Sequence, residues 1–146
     1  MENKVLGNDS IVKAIGLYAK LAELHDENPF KVKAFNAAAF NLKKVRQPFS
    51  ELTEEQWKAI PGAGKSVVES IKEMLETGSF TALNELFNRT PEGVVEMLKI
   101  KGLGPKKVAL IWREMWVDSV ELLFEACREN RLVEVKGFGV KHNRRF

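Results

Sequence analysis

Three short stretches place glycine, lysine and a bulky residue where a phosphate could be held. Ile100-Lys101-Gly102-Leu103-Gly104-Pro105-Lys106-Lys107 is the fullest of them. Two glycines one residue apart permit a turn with positive φ and leave backbone N–H groups uncovered. Proline after the second glycine suits the first turn of a new helix. Lys106 and Lys107 then fall where the helix dipole disfavours cations, an arrangement that makes sense if an anion shares the site with the N–H groups. The spacing recurs with Gly62, Gly64 and Lys65, and again with Gly137, Gly139 and Lys141. Each copy has a β-branched residue two places before its first glycine (Ile60, Ile100, Val135). One Gly-x-Gly alone reads as an ordinary helix end. Three copies read as a repeated phosphate grip that contacts sugar–phosphate backbone and reads no bases, so its binding tolerates any sequence and weakens with salt.

Other chemistry finds little support. Gly62-Ala63-Gly64-Lys65-Ser66 ends like a nucleotide-binding P-loop, but Ala59 stands where that motif needs glycine and no strand precedes it. Asp9, Asp26 and Asp118 are the only aspartates and are unpaired in sequence, which leaves a two-metal carboxylate centre without ligands. His25 and His142 stand far apart without neighbouring cysteines, so no side-chain metal site is expected. Trp57, Trp112 and Trp116 could stack on bases, but their helical spacing favours core packing. Cys127, the only cysteine, reads as a small core residue; no internal disulfide is possible and a reducing cytoplasm is the default. A second basic patch comprises Lys31, Lys33, Lys43, Lys44 and Arg46, open equally to a solvated helix face.

The elements that must position these residues are helices. Ile11, Ile15, Tyr18, Leu21, Ala22 and Leu24 form one apolar stripe, capped by Asn8, Asp9 or Ser10. After Asn28-Pro29 a second stripe takes Phe30, Ala34, Ala38 and Leu42, widened by Phe35 and Ala39. Thr53 and Gln56 have capping-box spacing, and Val67, Val68, Ile71, Met74 and Leu75 lead to a stop at Gly78. Phe80–Phe87 forms a short helix, Thr90-Pro91-Glu92 opens the next, and Val108, Ile111, Trp112 and Met115 continue beyond the central hairpin. Ser119 starts a helix through Val120, Leu123, Phe124 and Cys127. No run alternates with period 2. The expected fold is all-α, two small helical bundles spanning residues 1–78 and 79–146, built around helix-hairpin-helix motifs.

Charge is unevenly spread. Residues 1–98 carry 12 Lys and Arg against 14 Asp and Glu, a balance of −2, whereas residues 99–146 carry 11 against 6, a balance of +5. The positive field lies on the half with the second and third hairpins. Apolar runs are too short to span a membrane.

These residues resemble the N-terminal region of a family X DNA polymerase, most closely the bacterial branch. The resemblance rests on Asn28-Pro29-Phe30-Lys31-Val32-Lys33-Ala34-Phe35 with Ala37-Ala38, on the first hairpin, on Glu76-Thr77-Gly78 with Leu83, on Pro91-Glu92-Gly93 and on the later hairpins. It implies a small "8-kilodalton" domain gripping the 5′ side of a DNA gap, then a fingers-like domain holding the primer side. It also implies gapped or ended duplex DNA as partner, a bacterial, nucleoid-associated cytoplasmic location, and a sodium or potassium ion on hairpin backbone carbonyls. Lys31 and Lys58 match phosphate-binding positions of a 5′-phosphate pocket. Ser70, however, occupies the position of the lyase nucleophile, Phe35 replaces a supporting tyrosine and Ser66 a further lysine. Serine cannot form a Schiff base. Lys72, about 200° around the helix from Ser70, is the substitute a lyase would need. The palm domain with its catalytic aspartates would follow residue 146, so residues 1–146 alone are not expected to polymerise DNA. A module that holds DNA, a lyase using another lysine, and a helical protein-docking domain are the three functions this pattern allows.

Overall fold

The computed structural model describes residues 7–128. Within them the chain is all-α, with eight α-helices and one 3-10 turn: α1 (Asn8–Leu24), α2 (Pro29–Leu42), the turn Phe49–Glu51, α3 (Glu54–Lys58), α4 (Lys65–Thr77), α5 (Thr81–Asn88), α6 (Glu92–Met97), α7 (Pro105–Met115) and α8 (Val120–Arg128). None of these helices is long and apolar enough to cross a membrane. The chain forms two compact units, the first ending at Leu86 and the second beginning at Phe87. The third hairpin, with Gly137, Gly139 and Lys141, and the short piece near Leu132 lie outside the described residues.

In the first unit α1 packs against α2 and α4, and α3 against α4. Ile11, Ile15, Tyr18, Ala19, Leu21, Ala22 and Leu24 are buried, as the α1 stripe predicts. Its cap differs from expectation. The N-cap is Gly7, which has no side chain to offer. Asn8 is used across the fold instead: its Oδ1 accepts from the Phe49 N–H (2.8 Å) and its Nδ2 donates to the Gln47 carbonyl (2.8 Å).

The α2 stripe is also corrected. Asn28 caps the helix through a bond from the Phe30 N–H, with proline in the first turn. The buried face, however, is Val32, Phe35, Ala38 and Leu42, whereas Phe30 and Ala34 are exposed. Apolar residues surround this helix on every side, so periodicity alone could not choose the face. The outcome is set by Phe35, which packs on Tyr18 (4.7 Å between ring centroids) and near Phe80 (6.5 Å).

Both halves of the Thr53–Gln56 capping box are present on α3. Trp57 on α3 is buried and its Nε1–H donates to the Phe49 carbonyl at 3.0 Å. Trp57→Phe keeps most of the apolar surface but removes one of two donors on that carbonyl, which retains the bond from the Leu52 N–H at 3.1 Å. The expected cost is that of one hydrogen bond, about 0.5–1.5 kcal/mol, read as a lower midpoint in chemical denaturation.

Gly78 closes α4 in the left-handed conformation (φ 76°). Beyond it Phe80 packs on Tyr18 at 5.3 Å, and Leu83 and Leu86 are buried. In the second unit α6 packs against α7 and α8. Its start differs by one position from expectation: Pro91 is the N-cap and Glu92 the first helical residue. Ser119 caps α8, accepting from the Leu122 N–H at 3.2 Å.

Two aromatic residues expected inside are outside. Trp116, 83% exposed, ends α7 at φ 58°, a left-handed conformation that a side chain this large seldom takes. Phe124 is exposed as well, because α8 turns Leu123, Ala126 and Cys127 inward. Trp112 is half-buried. Burial pushes the Cys127 thiol up, which keeps it protonated at neutral pH, as suits a core residue.

Candidate nucleic-acid interface

The first two hairpins have the same backbone. Gly62 has φ 85° and Gly102 φ 86°, a region in which only glycine avoids a Cβ clash. The residues between the glycines, Ala63 and Leu103, are buried and anchor each turn to its core. Their N–H groups are spent inside it: Ala63 donates to the Ile60 carbonyl at 2.9 Å and Leu103 to the Ile100 carbonyl at 3.1 Å. The second glycines then cap the following helices, Gly64 at φ −77°, ψ −173° and Gly104 at φ −82°, ψ 171°. Of the expected DNA-binding residues, Leu103 therefore keeps its side chain in the core.

What the hairpins present outward follows from helix geometry. The bond from Val68 to the Gly64 carbonyl (3.0 Å) opens α4, and that from Val108 to the Gly104 carbonyl (3.0 Å) opens α7. N–H groups ahead of Val68, on Lys65, Ser66 and Val67, have no acceptor within α4. Lys65 and Lys106 are exposed in those first turns, and Lys107 is half-buried. Lys101, exposed within the second turn itself, joins them; its signal in the sequence is its place between Ile100 and Gly102. A β-carbon on either second glycine would meet nothing within 4 Å. Each hairpin thus presents an open face bearing N–H groups and lysine.

The first hairpin is set against α2. A Cβ on Gly62 would lie 3.0 Å from the Ala38 nitrogen and 3.2 Å from the Ala37 carbonyl carbon, so this glycine is required by space as well as by φ. Asn41 Nδ2 donates to the Pro61 carbonyl and to the Ala37 carbonyl, both at 3.0 Å. That strut was not legible in the sequence, where Asn41 looks like any polar helix residue.

Lys31 and Lys58 stand on different helices, α2 and α3. Lys31 lines a cavity of about 220 Å³ with Tyr18, Phe35, Ser66, Glu69, Ser70, Glu73, Phe80 and Ala82, its Nζ 5.5 Å from the centre of the Tyr18 ring. Lys58 is not on that cavity and pairs with Glu54 (3.5 Å) and Glu55 (3.8 Å). The cavity therefore holds one cation and two carboxylates, a poor balance for a phosphate dianion. Glu73 is further tied to Thr81, accepting from its N–H at 3.0 Å and from its hydroxyl. Ser70 is buried, and its hydroxyl donates to the Ser66 carbonyl at 2.8 Å. Lys72 is exposed and off the cavity, so Lys31 is the lysine on it.

Among the described residues no three His, Cys, Asp or Glu side chains gather to hold a metal. The Ile60 and Ile100 carbonyls each take one N–H bond within the turn, and a carbonyl oxygen carries two lone pairs.

Residues 6–80 match the helix-hairpin-helix domain family, and residues 94–144 match the SAM-like helix-hairpin-helix tandem. The chain belongs to the helix-hairpin-helix domain family. It is also 37% identical over 131 residues to the DNA polymerase/3′-5′ exonuclease PolX of Bacillus subtilis (strain 168). The match takes in 90% of this chain and 23% of that protein, in its N-terminal part. The resemblance to a family X polymerase drawn from Asn28–Phe35 and the hairpins agrees with it.

Proposed function

We infer that this chain is a non-sequence-specific DNA-binding module of family X polymerase type, holding phosphate backbone at gaps or strand ends in the bacterial cytoplasm, at the nucleoid. The observation that carries the reading is the duplicated hairpin. Two turns far apart in sequence share one backbone conformation, bury the residue between their glycines and open directly into a helix with exposed lysine. A structural turn needs the first glycine; it has no need of the second. The open face at Gly64 and Gly104 suits close approach of a phosphate. Similarity to a protein named as a DNA polymerase supports DNA as the partner.

The module holds DNA for chemistry done elsewhere. Ser70 spends its hydroxyl on a backbone carbonyl, and Lys72 does not reach the cavity. A sodium or potassium ion on the hairpin carbonyls would neutralise charge beside the bound phosphate.

A salt titration on gapped and on intact duplex tests the reading. Contacts to about three phosphates give a slope of about −2.7 in log affinity against log salt, a loss of about 40-fold from about 50 to about 200 mM. Gapped duplex is expected to bind more tightly than intact duplex at each point. Binding that is absent at low salt, or indifferent to salt, rules the reading out.

A further inference from the structure

We propose that Asn41 is a positioning residue for DNA binding: its amide holds the first hairpin in the orientation that presents the α4 N–H groups to a phosphate. This rests on the DNA-binding reading above. A side-chain nitrogen with two hydrogens can bridge two carbonyl oxygens. Asn41 Nδ2 does so, reaching the Ala37 carbonyl of its own helix and the Pro61 carbonyl of the turn, both at 3.0 Å. The residue type is specific to that task. Aspartate would bring acceptors to two acceptors, serine has one hydrogen to give, and an apolar residue has none. Asparagine is also among the weaker helix formers, so a purely helical role for position 41 would favour alanine.

Position gives this amide its leverage. Pro61 stands three residues before Gly64, the N-cap of α4, and Gly62 between them takes φ 85°. The turn is held at three consecutive residues. The Asn41 amide holds Pro61; the α2 backbone backs Gly62, where a Cβ would lie 3.0 Å from the Ala38 nitrogen; and Ala63 is buried. Proline has no N–H, so its carbonyl is the only backbone polar group by which Pro61 can be tied. Ala37, Ala38 and Asn41 meet the turn from one face of α2, as their spacing of one and three residues allows. The N–H groups of Lys65, Ser66 and Val67 follow directly from Gly64, so a rotation of the turn redirects all three at once. A turn that occupies the right orientation only part of the time binds more weakly by that fraction.

The test titrates gapped duplex with the whole chain in low salt, beside thermal melting. Asn41→Ala removes the bridge but gains helix propensity, so melting should hold within a few degrees. Affinity should fall about three- to tenfold, the equivalent of one net hydrogen bond. Asn41→Leu, which also lacks a donor but keeps the side-chain bulk, should behave alike. The loss must act through the first hairpin. In a Gly64→Val background, where the open face of that hairpin is already blocked, Asn41→Ala should cause no further loss. In a Gly104→Val background, which alters the other unit, it should keep its full effect, since changes without shared partners add. Unchanged affinity in both Asn41 variants, with Gly64→Val still weakening binding, overturns the positioning role and leaves the hairpin reading intact. An equal loss in the two backgrounds, or a loss that tracks a fall in melting temperature, assigns Asn41 to folding alone and overturns it too. A parent chain that fails to bind gapped duplex overturns both readings.

Discussion

Gly104→Val is expected to lower DNA affinity at least tenfold while shifting the melting temperature by only a few degrees. Gly104 is the N-cap of α7 at φ −82°, ψ 171°, extended backbone that valine adopts readily. An added Cβ meets nothing within 4 Å. The folding cost is confined to a poorer cap, about 1 kcal/mol or less. Binding is another matter. The side chain would stand on the open face of the hairpin, between an arriving phosphate and the first-turn N–H groups of α7. Gly102→Val makes the informative contrast. At φ 86° a branched side chain is strained whatever the space, by about 1–2 kcal/mol or more, so that variant should lose stability and DNA together. Both variants are read by titration on gapped duplex beside thermal melting. Normal DNA binding by a folded Gly104→Val chain would exclude the hairpin as the interface and favour a protein-docking role for the helical bundle.

Gly93→Ala should destabilise the second unit by about 3 kcal/mol or more, although it replaces a glycine in a helix with the best helix former. Propensity alone predicts a gain of about 1 kcal/mol. In the folded chain the new Cβ would lie 2.0 Å from the Asp118 carbonyl oxygen and 2.8 Å from the Ser119 Cα. Both neighbours are backbone, at the turn into α8, and cannot rotate aside as a side chain could. Relief requires α6 to move from α8, on which it packs, and overpacking of this kind ordinarily costs about 1–3 kcal/mol even when side chains can adjust. The midpoint of chemical denaturation reads the result. A rise would mean that the close approach of α6 to residues 118–119 is wrong.

Gly93 also shows the limit of reading this chain locally. In sequence it is an unfavourable helix residue between Glu92 and Val94; its reason for being glycine is a backbone 25 residues later. The hairpin glycines divide in the same way. Positive φ at the first of each pair is legible from the Gly-x-Gly spacing and the helices on either side. That Gly62 is held by the backbone of α2 as well, and that Gly64 and Gly104 face open space, depends on neighbours that the spacing does not specify.

Helix starts and stops were legible where a short-range bond makes them: Asn28 before Pro29, the Thr53–Gln56 box, Gly78 after α4, and Ser119 before α8. Asn8 reads locally as a cap, whereas its actual partners, Gln47 and Phe49, lie about 40 residues away. Phe30 and Trp116 read locally as core residues for a related reason. An apolar side chain at helical spacing fits two faces equally until another element covers one.

By itself the sequence determined the all-α class, the helix ends that a short-range cap makes and the turns of the two described Gly-x-Gly hairpins, since each depends on residues a few positions apart. Only the tertiary structure decided which face of α2 is buried, which lysine reaches the cavity, and which glycines are required by space. Those outcomes are set by surfaces that meet only after the chain has folded, so no local pattern records them.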